Sequence, residues 1–166
     1  MLWIVVMGLM GCAGECRPDS RMDGTYAVWS YVTAPTEDIE GENIAAYPWP
    51  AMFFNGWSEW TLEYIPAQSV VQIELDGQPF TATFHREPDD CENFTLSFSG
   101  TWLSEWDTRH NFQWDGDLAY QGPQIGGTFQ YADTWSDPET GETGSISIPL
   151  GEIAMTAGAG GGDSGL

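Results

Sequence analysis

Three cysteines carry the most definite chemistry in this sequence, and two of them stand close together near its start. Cys12 and Cys16 lie four positions apart in "GLMGCAGEC", and Cys91 follows much further along the chain. A C-x-x-x-C pair suits two metal ligands, a redox pair, or two cysteines with separate roles. Zinc usually takes a complete tetrahedral set of ligands. His85 and His110 show no paired spacing with the cysteines, so the number and spacing of possible ligands disfavour a zinc site.

Acidic turns supply a second set of candidate ligands, here for calcium, which prefers a shell of oxygen atoms. The densest groups are Asp115-Gly116-Asp117 and "SDPETGETG", with Asp115, Asp117, Asp137 and Glu139 as the candidate ligands. Neither group matches the D-x-[DN]-x-[DN]-G frame of an EF-hand loop. We therefore favour solvated turn carboxylates and no cofactor, and keep a structural calcium as the alternative.

Tryptophan is abundant and forms two clusters, "WSEW" (57–60) and "WLSEW" (102–106). Alternation along the first cluster points Trp60 inward and leaves Trp57 on the opposite face. Trp57, Trp102 and Trp106 are therefore the candidates for stacking on a ligand such as a glycan, since exposed aromatic patches usually mark an interface. The competing interpretation is core packing, because Trp buries much area.

Signatures of catalysis are weaker. The sequence has no G-x-S-x-G elbow, HExxH helix or phosphate-binding loop. A glycosidase needs two facing carboxylates, and the first candidates are Glu59 and Glu105, one inside each tryptophan cluster. We favour a non-enzymatic binding or structural module. The alternatives are a small surface hydrolase acting on glycans and a calcium-dependent carbohydrate-binding module.

The charge balance excludes some partners. There are 25 acidic residues against four arginines, and the formal net charge is −21. Nucleic-acid binding needs basic groups that displace counterions from phosphates, so it is excluded as a function class. Docking of a polybasic patch onto anionic lipid is disfavoured for the same reason. The acidity itself indicates solubility rather than a site.

The first residues, "MLWIVVMGLMG", are uninterruptedly apolar and end at Cys12, after which the chain turns polar. The stretch is too short for a membrane-spanning helix and suits a signal-peptide core. With Leu9, Gly11 and Cys12 it resembles the lipobox of bacterial lipoproteins. The resemblance covers residues 1–12 and implies cleavage before Cys12, acylation of that cysteine, and a membrane partner reached through the lipid. Ala13, in place of the aspartate that retains such proteins in the inner membrane, points to the outer membrane.

If Cys12 carries lipid, Cys16 and Cys91 remain in an oxidising compartment. Because two cysteines then remain, we expect one disulfide between them, with two free thiols as the alternative. Such a bond would close a loop of about 75 residues and stabilise the fold by about 4 kcal/mol in the chain-entropy model.

Downstream of Gly24 the sequence reads as short strands. In "SVVQIELDGQPFTATFHRE", Asp76-Gly77 is a favoured two-residue hairpin turn that pairs Leu75 with Gln78 and Ile73 with Phe80. In "HNFQWDGDLAYQG", a second turn is predicted at Asp115-Gly116-Asp117, which would pair Trp114 with Leu118.

About eight or nine strands are predicted, spaced as in a single antiparallel all-β sandwich or barrel. The expected organisation is a cleaved signal peptide (1–11), a lipidated cysteine and tether (12–23), an all-β domain (24–157) and a disordered glycine-rich tail (158–166). The expected function is that of a lipid-anchored module of the bacterial cell envelope whose partner is a glycan or an envelope protein.

Overall fold

The computed structural model describes residues 16, 19–32, 56–75, 77–103 and 109–158. Within them, antiparallel strands close into one barrel in which each strand pairs with the next along the chain and the last pairs with the first. The strands are β1 (Gly24–Val32), β2 (Gly56–Ile65), β3 (Val70–Leu75), β4 (Gln78–His85), β5 (Asn93–Leu103), β6 (Arg109–Gln121), β7 (Gln124–Ser136) and β8 (Thr143–Ala157). The all-β prediction is confirmed, and the architecture is a barrel. No helix in these ranges is long and apolar enough to cross a membrane.

Alternating side chains decide which face of each strand points inward. In β3, Val71, Ile73 and Leu75 are buried while the residues between them are exposed. The β3–β4 pairing sets Leu75 opposite Gln78 and Ile73 opposite Phe80, which is the predicted register. Turn chemistry and burial pattern agree in this hairpin, and agreement of the two specifies a register strongly.

Aromatic side chains fill the middle of the barrel. The ring of Trp114 lies 5.2 Å from Phe98, 5.7 Å from Trp60 and 5.8 Å from Phe129, measured between centroids. All four side chains are buried. A small barrel packed in this way has a solid core at that level rather than a chamber for a ligand. The candidate binding surfaces are therefore the outer wall and the two ends of the barrel.

The turn predicted at Asp115-Gly116-Asp117 is wrong. These residues lie in the middle of β6, and Trp114 pairs with Tyr131 rather than with Leu118. Gly116 faces inward, where a Cβ atom would lie only 2.6 Å from Cζ3 of the Trp114 indole. The glycine therefore makes room for a ring. The chain turns instead after Gln121, at Gly122, whose positive φ of 70° suits glycine.

A short 3-10 turn, Asp19–Met22, packs at one end of the barrel, which we call the plug end. Met22 is fully buried, and the Tyr26 hydroxyl donates a hydrogen bond of 2.9 Å to its carbonyl oxygen. The predicted disulfide between Cys16 and Cys91 is present, with the two Cα atoms 5.1 Å apart. It joins the N-terminal segment to the β4–β5 loop. The opposite end, which carries the β3–β4 and β7–β8 turns, is the far end.

Two arginines hold the plug in place. Arg86 forms a two-point ion pair with Asp19, with its Nε 2.9 Å from Oδ1 and its Nη2 3.1 Å from Oδ2. Arg21 donates a hydrogen bond to the Cys91 carbonyl and places its guanidinium 3.4 Å above the Tyr120 ring centroid. Burial raises the pKa of Tyr120 to about 12. Such planar, forked contacts are the geometry in which arginine binds most effectively.

Candidate functional site

Three aromatic side chains form a strip on the outer face of β1 and β2, near the far end. Trp29 and Tyr31 lie two residues apart on β1, with their rings parallel to within 3° and their centroids 5.8 Å apart. Trp57 stands directly opposite Trp29 on β2. Trp57 is 72% exposed and Tyr31 is 45% exposed. We call Trp29, Tyr31 and Trp57 the aromatic strip.

Small side chains border the aromatic strip. Ala27 precedes Trp29 on the outer face of β1, and Ala154 of β8 lies directly opposite Trp29 on the side away from Trp57. Directly opposed residues in an antiparallel pair have their Cβ atoms about 4.5–5.5 Å apart, so short neighbours leave large rings accessible from the side. Trp57 and Tyr31 are therefore accessible to a flat ligand, while Trp29 between them is partly buried.

Two acidic side chains flank the aromatic strip at opposite corners. Glu152 of β8 lies directly opposite Tyr31, and Glu59 of β2 lies directly opposite Ala27, two residues beyond Trp57. Both carboxylates are exposed on the outer face. Each lies diagonally across from Trp29, at a typical Cα separation of about 7–8 Å for such neighbours. Aromatic faces and hydrogen-bond acceptors are thus combined on one surface.

Trp57 and Trp102, two of the three tryptophans predicted to stack on a ligand, do not come together. Trp57 belongs to the aromatic strip. Trp102 is half-buried on the inward side of β5, where its ring lies 5.2 Å from that of His110 and packs against the core. Trp106 lies outside the described residues, as does Glu105, whereas Glu59 lies beside the strip.

Sequence reasoning missed Trp29 and Tyr31, although a signal for them was present. In "TYAVWSYVT", period-two alternation places Tyr26 and Val28 on one face and Trp29 and Tyr31 on the other. Because Tyr26 and Val28 are buried, the second pair has to face outward. The pairing of β1 with both β2 and β8, which assembles the complete surface, has no local signal in the sequence.

A polar cluster lies inside the barrel near the far end. His110 and Asp133 are both buried, and Nδ1 of His110 lies at a hydrogen-bonding distance of 2.7 Å from Oδ2 of Asp133. The Tyr131 hydroxyl donates to the same oxygen at 3.2 Å. Burial raises the pKa of Tyr131, and the neighbouring carboxylate raises it further. One carboxylate oxygen of Asp133 thus links His110 and Tyr131 inside the barrel.

The four candidate calcium ligands occupy two separate places. Asp115 and Asp117 project from the middle of β6, where Asp115 accepts a hydrogen bond from Ser97 at 2.5 Å. Asp137 and Glu139 lie in the β7–β8 turn, where Asp137 accepts hydrogen bonds from backbone amides and its pKa is lowered by them. No group of three or more acidic, histidine or cysteine side chains able to hold a metal occurs in the ranges that the structure describes.

A groove of about 470 Å³ runs over the outer face of β5, β6 and β7 near the plug end. Thr95, Asp117 and Thr128 lie directly opposite one another across its floor. On its rim, His85 lies 3.2 Å from Glu87, so these two side chains contact each other. The groove is open, and His85 and Glu87 on its rim are engaged with each other. The aromatic strip is the surface with the clearer chemistry.

Comparison of the chain with protein-family models, with curated proteins and with solved structures finds no significant match.

Proposed function

We propose that this chain is a lipid-anchored protein of the bacterial cell envelope that binds a glycan through the aromatic strip. The observation that carries the proposal is Trp57, which is 72% exposed and stands opposite Trp29, whose ring is parallel to that of Tyr31. Large aromatic side chains are normally buried, and their exposure in a contiguous group usually marks an interface.

Stacking on sugars accounts for the composition of this surface. A pyranose ring presents an apolar face of C–H groups and a rim of hydroxyls. The rings of Trp57 and Trp29 offer broad apolar faces, while the carboxylates of Glu59 and Glu152 accept hydrogen bonds from hydroxyls. Binding sites commonly combine apolar walls with a few placed polar groups in this way.

A lipid on Cys12 would set the orientation of the barrel. Cys12 lies four residues before Cys16, and Cys16 is bonded to Cys91 at the plug end. Four extended residues span at most about 14 Å, so the tether would hold the plug end close to the bilayer. The aromatic strip lies towards the far end and would face away from the lipid, where a glycan can reach it.

Glycan binding is tested by screening the purified protein on a glycan array and repeating the screen with Trp57→Ala. Truncating a central aromatic anchor typically weakens binding by roughly tenfold or more, and we expect a loss of that size. Leu103→Ala is the matched control, because Leu103 is 54% exposed and lies on β5, outside the strip. Equal binding by all three proteins, or an equal loss in both variants, would refute the proposal.

The anchor is tested by metabolic labelling with a fatty-acid probe in a bacterial host. We expect the label on the unaltered protein and on Cys16→Ser, and no label on Cys12→Ser. Undiminished labelling of Cys12→Ser would show that the lipid attachment has been assigned to the wrong residue.

A further inference from the structure

The surroundings of the aromatic strip are acidic on both sides. Trp29 is the centre of the surface, with Trp57 opposite it on β2 and Ala154 opposite it on β8. Glu59 and Glu152 occupy two diagonal corners of this arrangement, one on each neighbouring strand. A ligand lying across Trp29 therefore passes between two exposed carboxylates.

The described cations lie elsewhere. Arg86 is paired with Asp19 and Arg21 contacts Cys91 and Tyr120, all at the plug end. Arg109 begins β6, which pairs with β5 and β7 rather than with the strands of the strip. With a net charge of −21, the field over the strip is negative, because no described arginine stands beside the two glutamates. Like-charged ligands are repelled by such a field and opposite charges are attracted.

Resting on the glycan-binding function proposed above, we infer that the ligand is an amine-bearing glycan, a chain of amino sugars whose amines are protonated. Its ring faces stack on Trp57 and Trp29, and its ammonium groups contact the carboxylates of Glu59 and Glu152. An ammonium group near an aromatic face gains a further cation–π attraction.

This ligand class pairs the negative charge of the two carboxylates, which a neutral glycan leaves without a counter-charge. A neutral chain gains stacking and hydroxyl hydrogen bonds alone, and an acidic chain meets two carboxylates of its own sign. The protonated amine adds charge-assisted hydrogen bonds to both corners, and these are stronger than neutral ones. The carboxylates thus discriminate among glycans that the aromatic rings alone would treat alike.

The test compares three soluble oligomers of equal length by titration calorimetry: glucosamine, N-acetylglucosamine and a uronic acid. We expect the glucosamine oligomer to bind about three- to tenfold more tightly than the acetylated one, the size expected for one or two exposed ammonium–carboxylate contacts. The uronic acid oligomer should bind most weakly. Raising the salt concentration should reduce the preference for glucosamine, because exposed charges are screened.

Two double variants separate a local effect from the general charge of the protein. Glu59→Gln with Glu152→Gln removes the carboxylates beside the strip. Asp89→Asn with Glu142→Gln removes two exposed acids elsewhere, in the β4–β5 loop and in the β7–β8 turn. Both change the formal net charge from −21 to −19, since each neutralises two acids. Only the first should abolish the preference for glucosamine over N-acetylglucosamine.

The outcomes distinguish this inference from the function on which it rests. If the acetylated oligomer binds as tightly as glucosamine, or if both double variants lose the preference equally, the amine specificity is refuted while glycan binding stands. If no oligomer binds and Trp57→Ala behaves like the unaltered protein on the array, glycan binding itself is refuted.

Discussion

Adding one methyl group at Gly116 should destabilise the barrel through a specific clash with Trp114. The Cβ of an alanine at this position would lie 2.6 Å from Cζ3 of the indole, and Cη2 and Cζ2 are its other near neighbours. Carbon atoms pack at about 3.5–4.0 Å, so the ring must move by about 1 Å. Phe98, Trp60 and Phe129 surround that ring with centroid distances of 5.2–5.8 Å, which leaves it little freedom.

Overpacking of this kind usually costs about 1–3 kcal/mol. Replacing glycine by alanine also reduces the freedom of the unfolded chain, which stabilises by about 0.4–1 kcal/mol. The expected net loss for Gly116→Ala is therefore about 1–2 kcal/mol, measured as the free energy of unfolding in urea followed by circular dichroism.

The decisive variant is Gly116→Ala combined with Trp114→Phe. The three indole atoms near the added methyl belong to the six-membered ring that phenylalanine cannot place there. The two changes should therefore compensate, and the double variant should be more stable than the sum of the single effects by about 1 kcal/mol. Gly77→Ala is the matched control. An alanine at this position would be strained by the positive φ of 82°, but its Cβ would have no neighbour within 4 Å. The loss of unfolding free energy in Gly77→Ala should therefore add to that in Trp114→Phe. If the losses in Gly116→Ala and Trp114→Phe also add strictly, the proposed clash between the methyl group and the indole is refuted.

Two further measurements test the plug and the buried tyrosines. Cys91→Ser opens a disulfide that closes a loop with a sequence separation of 75 residues, so the free energy of unfolding should fall by about 4 kcal/mol in the chain-entropy model. Reductant should lower the free energy of unfolding of the unaltered protein by a similar amount and leave that of Cys91→Ser unchanged. Equal free energies of unfolding for the unaltered protein and Cys91→Ser without reductant would contradict this prediction. Burial raises the pKa of Tyr120 from 10.0 to about 12 and raises that of Tyr131 as well. The resulting stability is fully present below pH 10 and is lost as the pH rises through the folded-state values. Tyr120→Phe should flatten the decline of unfolding free energy between pH 10 and 12, and an unchanged slope would show that this tyrosine does not contribute.

Much of the fold was predictable wherever two local signals agreed. In the β3–β4 hairpin the Asp76-Gly77 turn and the alternation of Val71, Ile73 and Leu75 select one register, and the structure has that register. The Cys16–Cys91 bond followed from the cysteine count once Cys12 was set aside for lipid. Such inferences need no knowledge of distant packing.

The two Asp-Gly steps show where local reasoning ends. Gly77 lies between two strands and has a positive φ, whereas Asp115-Gly116 continues within a single strand. The dipeptides are identical, so composition cannot separate them. What separates them is the indole of Trp114, which occupies the space above Gly116. That ring is held by side chains from other strands.

Alternation and counting along the sequence were enough to predict the class of the fold, the disulfide and the exposure of Trp57. Strand pairing in the folded barrel, by contrast, places β1 between β2 and β8. Closure of the barrel is what sets Trp57 opposite Trp29 and Glu152 opposite Tyr31, although these residues are far apart along the chain. The candidate site exists because strand pairing is non-local, and no local propensity encodes which strands become neighbours when a sheet closes on itself.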